Sequence, residues 1–258
     1  MSFSEQMRSA VAAEWDRAHR DHPTVQGIGD GSLSLERFRY YMSQDYLFLI
    51  EYCRVVALAA AKSPDLDSMG KWAALLDETL NSEMELHRSF CADFGISREE
   101  LEATRPSQTI LAYTRFLLQT AREGSIEEIA SAMLPCQWGY DQIGEELGRT
   151  GTAAAGSLHR RWIDCYNDPA YRALLLGLPS QSELAQALHQ RGVTPDPDSI
   201  HAAAEAHRQT RAELWQADLP MLARETEVTA PFRPDAEQAG KRACDGYQHL
   251  NSTHRAQS

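Results

Sequence analysis

Along most of the chain the apolar residues return at intervals of three and four rather than two, the spacing of helices with one buried face. In the segment 40–52, Tyr-Tyr-Met-Ser-Gln-Asp-Tyr-Leu-Phe-Leu-Ile-Glu-Tyr, positions Tyr41, Asp45, Phe48 and Tyr52 fall on one side at i, i+4, i+7 and i+11. Prolines separate such stretches: Pro23, Pro64, Pro106, Pro169, Pro179, Pro195 and Pro197. Period and punctuation together predict helices over about 4–20, 34–63, 66–93, 107–123, 125–149, 153–166, 169–177, 181–191 and 197–222. Ser34, Ser107 and Ser125 stand where N-caps are needed, and Gly95 and Gly124 where helices end. No segment alternates with a period of two. Long helices joined by short loops predict an all-α fold, a multi-helix antiparallel bundle.

Two segments depart from this pattern. Residues 24–33, Thr-Val-Gln-Gly-Ile-Gly-Asp-Gly-Ser-Leu, form a glycine-rich connector. A phosphate loop would need a preceding strand and a Gly-Lys-Ser/Thr run, so a helix-to-helix turn is expected here. The tail from 224 is polar and holds Pro231 and Pro234, either as a loose terminus or as an arm against the bundle or a neighbour. The expected division is a helical domain over 1–223 and an extension over 224–258.

Charge and composition narrow the function. The chain has 258 residues, with 25 Lys+Arg against 37 Asp+Glu and a formal charge of −12. That field repels phosphate backbones and anionic bilayers, so neither nucleic acid nor membrane is an expected partner. The longest apolar run, Val55 to Ala61, has seven residues, far short of the ~20 that span a bilayer. The start, Met1-Ser-Phe-Ser-Glu-Gln, shows no basic region followed by an apolar one, and a cytoplasmic address is the expectation. The five cysteines include no CxxC pair and suggest neither a disulfide framework nor a zinc site.

A few residues could carry chemistry. Asp45 lies inside an aromatic stripe, where a carboxylate needs a partner. That partner is either a ligand amine or ring nitrogen, or a tyrosine hydroxyl in the core. Pro135 lies inside a helical pattern, just before Cys136, and removes one backbone donor there. Cys136 and Tyr140 share a face at i, i+4, so Cys136 is either an activated nucleophile or a small buried thiol. Glu83 and His87, also i, i+4, make too small a set for a metal and are expected to form a buried salt-linked pair. His159, His189, His201 and His207 read as solvated. Glu213 stands near Trp215 in the last long helix.

Taken together these segments resemble the TenA family, the thiaminase II enzymes. The matching stretches are His22-Pro-Thr-Val-Gln-Gly-Ile-Gly-Asp-Gly-Ser-Leu33, Arg37-Phe-Arg-Tyr-Tyr-Met-Ser-Gln-Asp45, Glu83-Met-Glu-Leu-His-Arg88, Tyr113-Thr114, Leu134-Pro-Cys-Gln-Trp138 and Trp162-Ile-Asp-Cys-Tyr166. They span about residues 3–168, and beyond 180 the resemblance is weak. It implies a haem-oxygenase-like bundle, usually a homotetramer, that needs no metal or organic cofactor. The implied activity is hydrolysis of the small molecule 4-amino-5-aminomethyl-2-methylpyrimidine to the hydroxymethyl pyrimidine in thiamine salvage, with cleavage of thiamine as a further activity. By the same resemblance Cys136 matches the nucleophile and Asp45 the acid on the ring's amino edge. Phe48 falls where many members carry a stacked Tyr. Tyr113, Tyr140 and Tyr166 match phenols that line the pocket.

The C-terminus departs from the family. Members carry an acid four residues before a Trp, and four before Trp215 is Arg211. Glu213 is the nearest acid, rotated by about 200° on a helix. Two readings therefore stand: an aminopyrimidine hydrolase using Glu213, or a helical protein that binds a pyrimidine or other small ligand with little hydrolysis.

Overall fold

The computed structural model describes residues 8–9 and 11–168. The helices expected over 169–177, 181–191 and 197–222, the extension 224–258 and Glu213 lie outside the described residues. The described elements are α1 Ala12–His19, α2 Pro23–Asp30, α3 Leu35–Lys62, α4 Leu66–Glu78, a π-helical turn Thr79–Glu83, α5 Met84–Asp93, α6 Arg98–Ala103, α7 Gln108–Glu123, α8 Ile126–Thr150 and α9 Leu158–Tyr166. Among the described residues there is no strand, and no helix is long and apolar enough to cross a membrane.

The expected caps are formed. Ser34 accepts from the Arg37 amide and Ser107 from the Ile110 amide. Ser125 and Glu128 make a reciprocal capping box at the start of α8. Helix α3 is the central element and packs against α4, α5, α7 and α8. Its Phe38, Val55, Val56 and Ala59 are at most 1% exposed, so the core runs the length of this helix.

The glycine-rich connector is not a turn but helix α2. Pro23 starts it, the His22 ring accepts from the Thr24 amide, and Gly31 ends it at φ 79°. Its glycines serve close approach. A Cβ on Gly27 would come within 3.1 Å of Leu33, and one on Gly29 within 2.8 Å of Leu147 Cδ2. The Gly29 carbonyl also accepts from Thr152 and Ala153 at 2.8 and 2.9 Å. That tie shapes the segment before α9, which starts at Leu158 rather than near 153. The helix expected over 66–93 is interrupted by the π turn, and the short α6, capped by Ser97 and Glu100, was not expected. His159 is not solvated: it is 6% exposed, and its Nε2 donates to the Leu33 carbonyl at 2.8 Å.

Helix α8 approaches its neighbours through glycine. A Cβ on Gly139 would overlap the His19 ring, one on Gly144 the Tyr166 carbonyl, and one on Gly148 the Asn167 side chain. Gly70, by contrast, lies on α4 with nothing within 4 Å. We expect Gly144→Ala to destabilise the protein by about 1–3 kcal/mol through overpacking against backbone. Gly70→Ala should stabilise it by about 0.5–1 kcal/mol. Urea denaturation of the two variants checks both signs.

Candidate active site

Between α3, α4, the π turn, α8 and α9 lies a cavity of about 490 Å³ including its mouth. Its lining is Asp45, Phe48, Leu49 and Tyr52 from α3, Leu75 from α4, Glu83 from the π turn, Cys136, Gln137 and Tyr140 from α8, and Tyr166 from α9. Six residues singled out in the sequence therefore meet here: Asp45, Phe48, Tyr52, Cys136, Tyr140 and Tyr166. Tyr113 takes a place behind them. Its ring stacks on Phe48 at 5.5 Å and 10°, and it is Phe48 that meets the cavity. Sequence reasoning missed Leu49, Leu75 and Gln137 and did not assign Glu83 to this site.

The aromatic side of the cavity is tightly coupled. The Tyr140 and Tyr41 hydroxyls are 2.7 Å apart. Tyr140 stacks on Tyr166 at 5.1 Å, and Tyr166 lies 4.2 Å from Trp162. Burial first, and then the nearby Asp45, hold the Tyr41 phenol well above its ordinary range, so it stays neutral. On the opposite side Gln137 Nε2 donates to the Tyr52 hydroxyl. Burial, followed by Glu83 and Cys136, raises the Tyr52 phenol as well.

Cys136 is 7% exposed and directly follows the fully buried Pro135 within α8. The Pro135 carbonyl faces His19 Nε2 at 3.2 Å, a contact that the missing Cβ of Gly139 permits. Other thiols are set apart by their surroundings. Burial pushes Cys53 up to about 11 and Cys91 up to about 12, which leaves both as inert thiols at neutral pH.

Asp45 has a neighbour other than a tyrosine. Its Oδ2 lies 3.7 Å from His87 Nδ1, with side-chain exposures of 12% and 6%. His87 Nε2 donates to the Met42 carbonyl at 2.8 Å. Both ring nitrogens thus face α3 groups, and the expected salt link of His87 to Glu83 is replaced by this arrangement. With Nε2 carrying the proton, Nδ1 of the neutral ring offers Asp45 a lone pair rather than a proton. Burial holds His87 down to about 4. Among the described residues no three His, Cys, Asp or Glu side chains group as metal ligands.

A family model described as TENA/THI-4/PQQC matches residues 8–204. The chain belongs to this family. It is 42% identical over 174 residues to an aminopyrimidine aminohydrolase of Halalkalibacterium halodurans, covering 67% of this chain and 77% of that protein. Among solved structures it resembles a TenA family transcription regulator from Silicibacter sp. TM1040, with a TM-score of 0.76, 31% identity, and 83% and 96% of the two chains covered. A domain of unknown function from Shewanella denitrificans, at TM-score 0.61 and 12% identity over 90% and 99% of the chains, is described as having a heme oxygenase-like fold. The all-α, haem-oxygenase-like architecture expected from the sequence is thus the fold of this TenA-family member.

The neutral His87 has a measurable consequence. Its folded value lies near 4, below the usual 6.5, so the unfolded chain takes up the proton first. Its contribution to stability is complete above 6.5 and is lost as pH falls from 6.5 toward 4. We expect His87→Gln to flatten this part of the stability–pH curve, which at the acid end amounts to about 3 kcal/mol. Urea midpoints between pH 4 and 7 measure the difference.

Proposed function

We propose that the protein is an aminopyrimidine aminohydrolase. It hydrolyses 4-amino-5-aminomethyl-2-methylpyrimidine to the hydroxymethyl pyrimidine and ammonia, and so serves thiamine salvage. The carrying observation is the meeting of Cys136, Asp45, Tyr140 and Tyr166 in one largely apolar cavity. The 42% identity to an enzyme of that name supports the same reading.

Each group has a task in this chemistry. The Cys136 thiolate adds to a ring carbon beside a ring nitrogen, and the displaced π pair moves to that nitrogen, which takes up a proton. The resulting electron-rich ring expels the exocyclic amine as ammonia. Water adds to the exposed exocyclic carbon, and reversal of the first step returns the thiolate. Asp45 holds the amino edge of the ring through charge-assisted hydrogen bonds, each worth about 1.5–3 kcal/mol. Phe48, backed by Tyr113, gives the ring a flat apolar wall. Tyr140 and Tyr166 close the side next to Cys136. Beyond the described residues the sequence offers Glu213 as a further acid, while Arg211 holds the position where the family carries one.

The reading also takes the enzyme to be a cytoplasmic homotetramer that works without metal or organic cofactor, with 1–223 as the working domain. The second reading, a binding protein with little hydrolysis, is favoured only by Arg211. Regulation through DNA binding sits poorly with a formal charge of −12.

Cys136→Ser changes little volume and should leave the melting temperature close to that of the wild type. Ammonia release from the aminomethyl pyrimidine should fall by at least a hundredfold. Turnover at the wild-type rate would reject Cys136 as nucleophile. A wild-type protein that binds the hydroxymethyl pyrimidine but releases no ammonia would establish the binding-protein reading instead.

A further inference from the structure

Of the charged side chains around the cavity, one has no part yet in the chemistry. Glu83 lines the main cavity and also a second, adjoining pocket beside His87, so it stands where the two meet. It is the last residue of the π turn Thr79–Glu83. Such one-residue insertions recur at functional sites because they redirect side chains that a regular helix would aim elsewhere. Burial is the first cause of the raised Tyr52 phenol and Cys53 thiol, and the Glu83 charge is the second in both. The carboxyl therefore belongs to the Tyr52 side of the cavity, whose lining runs through Gln137 to Cys136.

An aminopyrimidine presents two nitrogen edges. One carries the exocyclic amino group and a ring nitrogen, and suits Asp45. The other ring nitrogen adjoins the carbon that the thiolate attacks, and it needs a proton as the S–C bond forms. Resting on the hydrolase reading, we infer that Glu83 is the acid that serves this second ring nitrogen. It takes the task that other family members give to the C-terminal acid, whose place Arg211 holds here. The balance is simple. The sulfur lone pair forms the S–C bond, the C=N π pair becomes a nitrogen lone pair, and the Glu83 proton moves onto it. Glu83 recovers a proton when the thiolate is expelled and the ring nitrogen gives it back.

The test compares full-length wild type, Glu83→Gln, Glu213→Gln and, as a control on the same helical stretch, the exposed Glu85→Gln. Ammonia release is followed from pH 5 to 9. A required acid gives a rate that falls at high pH as the acid deprotonates. In Glu83→Gln we expect kcat/KM to drop at least tenfold and this high-pH fall to disappear, with Glu85→Gln unchanged. A Glu83→Gln profile like the wild type's overturns the inference, and so does loss of the high-pH fall in Glu213→Gln alone. Should Glu83→Gln not fold, Glu83→Asp keeps an acid on a shorter arm; it should turn over more slowly while retaining the high-pH fall, and full activity would count against a reach-dependent proton transfer. A second readout is the ultraviolet difference spectrum of the bound hydroxymethyl pyrimidine. A protonated ring in the wild type and a neutral ring in Glu83→Gln support the assignment, and the same spectrum in both rejects it. A wild type that releases no ammonia yet binds the pyrimidine refutes the hydrolase reading alone, and the spectrum still decides on Glu83. If the pyrimidine does not bind, both fall.

Discussion

The close approach of α8 to its neighbours is the constraint on which the site depends. Three positions on this helix, Gly139, Gly144 and Gly148, leave no room for a Cβ against His19, Tyr166 and Asn167. Glycine inside a helix costs roughly 0.5–1 kcal/mol relative to alanine, so each must be offset by what the approach allows. At Gly144 the return is specific. Helix α9 comes near enough for Tyr166 to stack on Tyr140, and the two rings wall the cavity beside Cys136. At Gly139 the His19 ring fits against α8 and reaches the carbonyl of Pro135, the residue before the thiol. The α8 backbone at Cys136 is thus held from one side by α1 and from the other by α9.

Within that frame the electrostatics of the cavity follow from neutral neighbours. Tyr41 and Tyr52 are kept protonated by burial, and His87 is kept unprotonated by the same cause. The tyrosine and histidine neighbours of Asp45 therefore carry no charge of their own. His87 spends its ring proton on the Met42 carbonyl and turns a lone pair toward Asp45. A cationic histidine there would have held Asp45 in an internal ion pair. A neutral one forms no such ion pair.

Much of this was legible in the sequence, for a physical reason. Asp45, Phe48 and Tyr52 share a face because α3 is regular, so counting by helical period places them correctly. Cys136 and Tyr140 were paired by the same rule. Counting failed where the helix is irregular or where tertiary contact overrides propensity. Glu83 and His87 were read as a pair on a uniform helix. A π turn ends at Glu83, and the His87 nitrogens are taken by Met42 and Asp45. The run Gln-Gly-Ile-Gly-Asp-Gly looked like a turn because glycine disfavours helices. It is a helix nonetheless, and its glycines stand where Leu33 and Leu147 come within 3.1 and 2.8 Å of an added Cβ. Tyr113 was placed in the lining by family likeness, and Phe48 stands in front of it.

The charge of the whole protein fits the chemistry proposed for the cavity. An aminomethyl group carries a positive charge at neutral pH, as a lysine amine does. A protein of formal charge −12, with Asp45 lining its cavity, draws such a cation toward it. Hydrolysis replaces the ammonium by a hydroxyl and removes that charge. The product then loses the attraction that favoured the substrate, while keeping the ring contacts with Phe48 and the amino-edge contact with Asp45. Discrimination between the two thus resides in the protein's negative field rather than in the aromatic walls. A cavity built this way favours release once the C–N bond has been cut.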